Sequence, residues 1–226
     1  MQETKLGVPQ AILLGAVIIA AAILLTRGTL SKTGGPAAAL QEGKEVAAVS
    51  ANDHLYGNPN APVVVIEFSD LECPYCKTFH PIMHELVESS GGTVAWVYRH
   101  FPLDTIHTKA RLEAEAAECA AELGGNTSFW NYIDRVFAIT PSNDRLEEAK
   151  LLEIGNDIGI NPQKLSACIK EGKYQELIEA QLQDGIRAGV NGTPGSVVMN
   201  MKTGAKTLLV GAASLEEMRA AVEAVK

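Results

Sequence analysis

The stretch that decides the fold of this chain reads Val63-Val64-Val65-Ile66-Glu67-Phe68-Ser69-Asp70-Leu71-Glu72-Cys73-Pro74-Tyr75-Cys76. Its first part, Val63 to Asp70, is rich in β-branched residues and predicts a buried strand. The residues after Cys73 carry a helical pattern to about Ser89, so the two cysteines lie where a strand passes into a helix. Two cysteines separated by two residues can form and break a disulfide without moving the backbone, which indicates redox chemistry.

Their positions predict different roles for the two cysteines. At a helix N-terminus the unpaired N–H groups and the helix dipole stabilise an anion, so Cys73 should ionise more easily than a free thiol and act as the attacking thiolate. Cys76 lies one turn into the helix, which limits its access to water and suits the resolving role. Pro74 and Tyr75 complete the motif between them.

A metal site is the competing interpretation of this helix. His80 and His84 follow Cys76 at steps of four residues, so all three side chains can line one helical face. Cys73 would then lie above them as a fourth ligand. However, Pro81 would bend the shared face, and a structural zinc site usually draws its ligands from two separate segments. We therefore predict that the motif binds no metal. A third interpretation is that Cys73 and Cys76 are unreactive structural cysteines.

Length and charge restrict the function classes. The chain has 226 residues and a net charge of −8. Residues 1–50 contain four Lys and Arg residues and three Asp and Glu residues. The rest of the chain contains fifteen Lys and Arg and twenty-four Asp and Glu, so its net charge is minus nine. An acidic domain of this size can form one core but has no electrostatic reason to bind nucleic acid.

The N-terminal region predicts a membrane anchor. Ala11 to Leu25 contains no polar side chain, and with the residues back to Gly7 it approaches the length of a bilayer core. Thr26 and Arg27 follow at once, which favours an uncleaved anchor over a cleaved signal peptide. We predict a single-pass transmembrane helix within residues 1–28, in contact with membrane lipid. The flanking charges do not set its orientation.

After the anchor, residues 29–60 are rich in Gly, Ala, Ser and Pro and predict a flexible linker. A domain then extends over residues 61–226. It should open with a β-α-β unit whose second strand follows the turn at Gly91-Gly92, continue with several helices, and close as β-β-α. The later elements are predicted at Thr93 to Arg99, Thr108 to Ala188, Val197 to Met201, Thr207 to Val210 and, capped by Ser214, up to Val225.

Several short stretches match a known family. The most specific are Tyr56 to Pro62, Glu67 to Asp70, Glu72 to Cys76, Tyr98 to Leu103 and Gly192 to Pro194. With the order of elements, they resemble the DsbA-type thiol:disulfide oxidoreductases, and most of all their membrane-anchored bacterial members. The resemblance runs from about Asp53 to Val225. It implies an α/β, thioredoxin-like fold with an inserted helical domain at about 106–189, here preceded by an N-terminal transmembrane helix.

The resemblance also assigns roles to residues outside the Cys-x-x-Cys motif. Thr193 and Pro194 match the cis-proline loop, which lies against the cysteines and pairs with an extended substrate. Glu67 matches the buried acid beneath the disulfide, where a carboxylate is costly unless it transfers protons. Pro81 matches the proline that bends the active-site helix.

Some members of the family have a second disulfide in the helical domain, and the resemblance implies one here. It would join Cys119 to Cys168, which lie in different predicted helices. Closing a loop of this length contributes roughly 4 kcal/mol in the chain-entropy model. Two buried free thiols are the alternative, because sequence does not settle connectivity.

The predicted function is a membrane-tethered oxidase that introduces disulfides into exported or secreted proteins without a cofactor. A motif of this kind behind an anchor places the domain on the extracytoplasmic side, in the periplasm or on the outer face of the cell membrane. The resemblance implies a quinone-linked membrane reoxidant, either DsbB-like or vitamin K epoxide reductase-like. Tyr75 replaces the histidine of the strongly oxidising members, so an isomerase or reductase stays open. A different class of alternative is an extracytoplasmic metal-binding protein using Cys73, Cys76 and His80.

Overall fold

The computed structural model describes residues 41–42 and 44–226. The strands are β1 (Gln41–Glu42), β2 (His54–Gly57), β3 (Val63–Ser69), β4 (Val94–His100), β5 (Gly195–Asn200) and β6 (Lys206–Val210). The helices are α1 (Pro74–Glu88), α2 (Ala110–Ile139), α3 (Ala149–Asp157), α4 (Pro162–Glu171), α5 (Gln175–Ala188) and α6 (Leu215–Val225).

The described strands form one sheet in the order β1-β6-β5-β3-β4-β2. The central strand β3 runs parallel to β4 and antiparallel to β5, and α1 connects the parallel pair. A parallel pair needs such a crossover, and a central strand whose sheet is covered by helices on both faces is buried on both faces. This requirement explains the run of β-branched residues in β3, every one of which is buried. The predicted α/β, thioredoxin-like fold with a helical insertion is confirmed.

Alternation along β3 divides the core between the two faces of the sheet. Val63 and Val65 pack in the cluster that contains side chains of α1, α2 and α6. Val64 and Ile66 point the other way, into the cluster that includes Ala188 of α5. Since residues two apart share a face, Glu67 lies on the same face as Val65 and is directed toward α1. The strand period therefore places this acid beneath the active-site helix.

The helical insertion comprises α2 to α5, between β4 and β5. Gly125 has a left-handed φ of 79° and divides α2 into two segments, at the predicted break near Gly124-Gly125. Asn161 caps α4 by accepting hydrogen bonds from the backbone N–H groups of Gln163 and Lys164, both at 3.0 Å. These local signals explain why short helices begin and end where they do.

The sheet extends into the region predicted as a linker. We predicted that residues 29–60 form a flexible tether, but β2 lies within this range and pairs antiparallel with β4 from His54↔Tyr98 to Gly57↔Ala95. A strand of four residues gives almost no periodic signal of its own. The exposed edge of β4 supplies the hydrogen bonds that order it.

Residues 44–53, here called the crossing segment, connect β1 at one edge of the sheet to β2 at the other. Buried Arg99 holds this segment: it binds the Asp53 carboxylate at 2.7 and 3.0 Å and donates to the Ala47 carbonyl at 3.1 Å. Its charge is also compensated by Asp184 at 2.6 Å. A buried guanidinium is stable only with such pairing, so the crossing segment is part of the fold.

The predicted anchor within residues 1–28, including Ala11 to Leu25, lies outside the described residues. Among the helices of the described part, none has the length and apolar character needed to span a bilayer.

Candidate active site

The two motif cysteines lie at the start of α1. Cys73 is the N-cap residue of this helix and Cys76 lies in its first turn. Both are free thiols and both are buried, with 3% of Cys73 and none of Cys76 exposed. Tyr75, by contrast, is 66% exposed. A partner sulfur therefore approaches from the side of Cys73 and Tyr75, and Cys76 is shielded.

The surroundings of the two thiols shift their pKa values in opposite directions. A hydrogen bond from Cys76 is the largest influence lowering the pKa of Cys73 to about 6, against the effect of burial; Thr193 and the backbone N–H groups of Tyr75 and Cys76 also lower it. Burial raises the pKa of Cys76, and the neighbouring Cys73 and Glu67 raise it further. At neutral pH the first thiol is thus largely a thiolate while the second keeps its proton. This asymmetry favours the predicted nucleophile and resolving roles.

The loop before β5 lies directly against the nucleophile. The Thr193-Pro194 peptide bond is cis, and the Thr193 carbonyl lies 3.5 Å from the Cys73 Sγ. The Thr193 side chain is buried, and its hydroxyl makes no hydrogen bond of good geometry within the described residues. A backbone carbonyl beside the reactive sulfur is suited to pair with an extended substrate segment. Pro194 then leads directly into β5.

Glu67 lies fully buried beneath the cysteines. Within the described part of the chain neither carboxylate oxygen has a hydrogen-bond partner of good geometry. Burial raises the pKa of Glu67 to about 8; weak contacts with Ser69 and Trp96 lower it, and the charge on Cys73 raises it. The acid is therefore mostly protonated at neutral pH and is able to exchange a proton near Cys76.

The pKa of Glu67 predicts a pH-dependent effect of Glu67→Gln. The folded pKa of about 8 exceeds the unfolded value of 4.5, so the folded state keeps a proton that the unfolded chain releases. The contribution of Glu67 to the free energy of unfolding therefore decreases as pH rises from about 4.5 to about 8. We expect the variant to gain stability relative to wild type over this window, by up to about 1.4 kcal/mol per pKa unit, in urea titrations at pH 5 and pH 8.

The matched control is Glu223→Gln, on an exposed part of α6, which should change little at either pH. A Glu67→Gln variant whose difference from wild type is the same at both pH values contradicts a neutral buried acid.

Sequence reasoning missed Asp70, which organises the loop before the nucleophile. This buried carboxylate accepts hydrogen bonds from the Glu72 N–H at 2.8 Å, the Leu103 N–H at 2.8 Å and His107 Nδ1 at 2.9 Å. It thereby joins the Cys73 loop to the connection between β4 and α2. The hydrogen bond with Asp70 raises the pKa of His107 to about 9, so the imidazole is a cation. The available signal was an acid directly after a buried strand.

Two further buried acids, Glu72 of the same loop and Glu113 of α2, are neighbours. Glu72 is completely buried, and its carboxylate accepts the Asp144 N–H. Burial raises the pKa of Glu113 to about 10, and the neighbouring Glu72 carboxylate adds to the rise. Glu113 is therefore protonated at neutral pH.

Of the metal ligands considered from the sequence, the structure brings His80 and His84 together but leaves both thiols out of the cluster. His80 and His84 are directed toward Asp134 of α2, with distances of 2.6 and 2.9 Å from their Nε2 atoms to its Oδ1. Among the described residues this trio is the cluster with metal-ligand geometry, and neither Cys73 nor Cys76 belongs to it. The metal set of Cys73, Cys76 and His80 is therefore corrected: the helix turns the histidines toward α2 and away from the thiols. Pro81 lies inside α1, which continues to Glu88.

The other two cysteines form a disulfide. Cys119 of α2 is bonded to Cys168 of α4, so the bond links two helices of the insertion. Both residues are buried. The bond is therefore separate from the redox pair and holds two helices of the insertion together.

Comparison with known proteins agrees with this geometry. A family model described as Thioredoxin matches residues 49–224. Among solved structures, DsbA2 of Pseudomonas aeruginosa has a TM-score of 0.66 and 29% identity and covers 78% of this chain and 96% of its own. BdbD of Bacillus subtilis has a TM-score of 0.67 at 20% identity and covers 81% and 97%, a likeness of fold.

Curated relatives include a Na(+)/H(+) antiporter, NhaA 3 of Salinispora tropica, which is 34% identical over 142 residues. This match covers 63% of the present chain but only 21% of the antiporter. The chain thus spans about a fifth of the length of the curated relatives it matches, and antiport is a property of those longer proteins.

Proposed function

This chain belongs to the thioredoxin family, and from this premise we propose that it oxidises the thiols of exported proteins. It is a DsbA-type thiol:disulfide oxidoreductase whose redox pair is Cys73 and Cys76. The observation that carries the proposed direction is the opposite shift of the two thiol pKa values, to about 6 at Cys73 and upward at Cys76. A stabilised thiolate favours the reduced enzyme, and a couple with a stable reduced form is an oxidant.

The proposed reaction has two exchange steps. A substrate thiolate attacks Cys73 Sγ in the oxidised enzyme; the Cys73–Cys76 bond breaks, and its electron pair goes to Cys76, which takes up a proton. A second substrate thiolate then attacks the substrate sulfur of the mixed disulfide and releases Cys73 as a thiolate. Two electrons move from the substrate to the enzyme. During the first step, Glu67 is a buried acid close enough to influence the pKa of Cys76 and able to supply its proton.

The reduction potential of the Cys73–Cys76 couple tests the direction. We expect a value of about −120 to −180 mV in glutathione buffers, the range of oxidases and isomerases. A value near roughly −270 mV, which is that of a thioredoxin reductant, contradicts the proposal. Refolding of a scrambled-disulfide substrate distinguishes an isomerase from an oxidase, since only an isomerase recovers its native pairing.

The side chain at position 75 is predicted to influence the reduction potential of the Cys73–Cys76 couple. We expect Tyr75→His to raise the reduction potential by roughly 30 mV or more, because an imidazole beside the Cys73 thiolate stabilises the reduced form. The side chain is 66% exposed, so the fold should not be affected. Tyr75→Phe is the matched control and should leave the potential near the wild-type value. Equal potentials in the histidine and phenylalanine variants contradict this role of position 75.

The location is also proposed. Ala11 to Leu25 would anchor the chain in the cell membrane as a single span, with the catalytic domain in the periplasm or on the outer face. The Cys119–Cys168 disulfide supports this orientation, because such bonds persist in oxidising compartments. The reduced enzyme would be reoxidised by a DsbB-like or vitamin K epoxide reductase-like membrane partner. Protease added to intact spheroplasts should digest the domain if it faces outward, and its protection contradicts this orientation.

A further inference from the structure

We propose that His80, His84 and Asp134 form a binding site for a divalent transition-metal ion of the zinc type, separate from the redox pair. The two histidines come from α1 and the aspartate from α2, so the site draws on two separate segments of the chain. Such a distribution is usual for metal sites in proteins.

The three ligand groups already converge. Residues four apart lie one above the other on a helix, and both Nε2 atoms point to the same carboxylate oxygen, at 2.6 Å from His80 and 2.9 Å from His84. The candidate ligand atoms all lie within 4.8 Å of one another. Zinc bound at about 2.0–2.2 Å from each ligand requires spacing of this order, so small side-chain rotations are sufficient.

The site is accessible to an ion from solvent. It lies in an open groove whose lining includes Tyr56, Glu85 and Glu88 as well as the three proposed ligands. The Asp134 side chain is 41% exposed and the His84 side chain 21%, whereas that of His80 is only 6% exposed. His80 is thus a buried ligand, whereas His84 and Asp134 can be reached from solvent. The fourth coordination position of the metal is open to water or to an acid of the groove.

The surroundings orient the imidazoles. The Tyr56 hydroxyl donates to Glu88 at 2.9 Å, and the Glu88 carboxylate lies 3.9 Å from His84 Nδ1. Trp96 packs edge-on against both histidine rings, with centroids 5.1 and 5.3 Å away. The carboxylate near Nδ1 of His84 and the aromatic wall beside both rings limit the orientations that the two imidazoles can adopt.

The donor set selects the class of metal. Two imidazoles and one carboxylate suit zinc and its neighbours in the transition series, whereas magnesium and calcium prefer oxygen ligands alone. The redox thiols are not involved, so binding should not depend on the oxidation state of Cys73 and Cys76.

The test is a calorimetric titration of ZnCl2 into full-length protein without a histidine tag, purified in mild detergent at pH 7.5. The Cys73–Cys76 pair is first oxidised to a disulfide, so that no thiolate can bind the metal. We expect about one equivalent to bind. His84→Ala and Asp134→Asn should each weaken the affinity at least about 10-fold, because each removes one ligand.

Asp157→Asn is the matched control, since Asp157 pairs with Arg135 at the surface and should leave zinc binding unchanged. As a second measurement, zinc should raise the melting temperature of wild type and of Asp157→Asn but not of Asp134→Asn. Absence of stoichiometric binding, or binding that persists in both His84→Ala and Asp134→Asn, overturns the proposal. Because the redox activity does not enter this test, either proposal can fail without the other.

Discussion

A Cys76→Ser variant is expected to accumulate as mixed disulfides with client proteins through Cys73, and its turnover should fall at least about 1,000-fold. Cys73 carries the lowered pKa and lies beside the Thr193 carbonyl, where an extended client would pair. Cys76 has no exposed surface, so it acts on the bond at Cys73 and not on clients directly. In this variant the Cys73 thiolate forms the adduct by attacking a client disulfide and releasing the other client sulfur as a thiolate. Because the Cys76 thiol is absent, the enzyme cannot release the client from its own side, and the adduct persists until a client thiol attacks it. Non-reducing gels of alkylated cell extracts measure the adducts.

Cys73→Ser provides the matched control. It should lose activity to the same extent but form no adducts, because the accessible sulfur is absent. Adducts in Cys73→Ser and none in Cys76→Ser would reverse the assigned roles. Loss of adducts after reduction with dithiothreitol establishes that the link is a disulfide.

Removal of the second disulfide should produce the largest loss of stability. Cys119 and Cys168 are 49 residues apart, and the chain-entropy model gives about 4 kcal/mol for a loop of that length. Since small domains have only about 5–15 kcal/mol in total, Cys119→Ala/Cys168→Ala should greatly lower the urea midpoint. The redox site lies outside the linked helices, so the variant should retain its reduction potential wherever it is folded.

Wild type unfolded in the presence of a reductant separates the cross-link from packing. If the cross-link dominates, reduced wild type and Cys119→Ala/Cys168→Ala should have similar free energies of unfolding. A double variant that is far less stable than reduced wild type indicates loss of packing by the buried sulfur atoms. A double variant as stable as oxidised wild type contradicts the predicted contribution.

The central part of the fold and the redox pair were predictable because their signals are local. The β-branched run of β3, the helical period after Cys73 and the motif spacing all lie within about 25 residues. The roles of Glu67 and of the Thr193-Pro194 loop could not be predicted from local signals alone. Nothing near Thr193 in sequence indicates a contact with Cys73, which is 120 residues away, and only the family resemblance supplied it.

The remaining features depend on contacts that no local pattern contains. Asp70 acquires its role from the Leu103 N–H and from His107, more than thirty residues later. His80 and His84 were noticed, but their partner Asp134 lies on another helix and has no sequence signal of its own. Strand β2 was missed because the edge of β4 orders it, not its own propensity.

The crossing segment has a practical consequence for expression of the catalytic domain without its N-terminal region. A version that begins at Ala61 would lose both β1 and β2, leaving β6 and β4 as open edges prone to aggregation. It would also deprive buried Arg99 of Asp53 and of the Ala47 carbonyl. A soluble version should therefore start before Gln41, where the cut leaves both sheet edges covered.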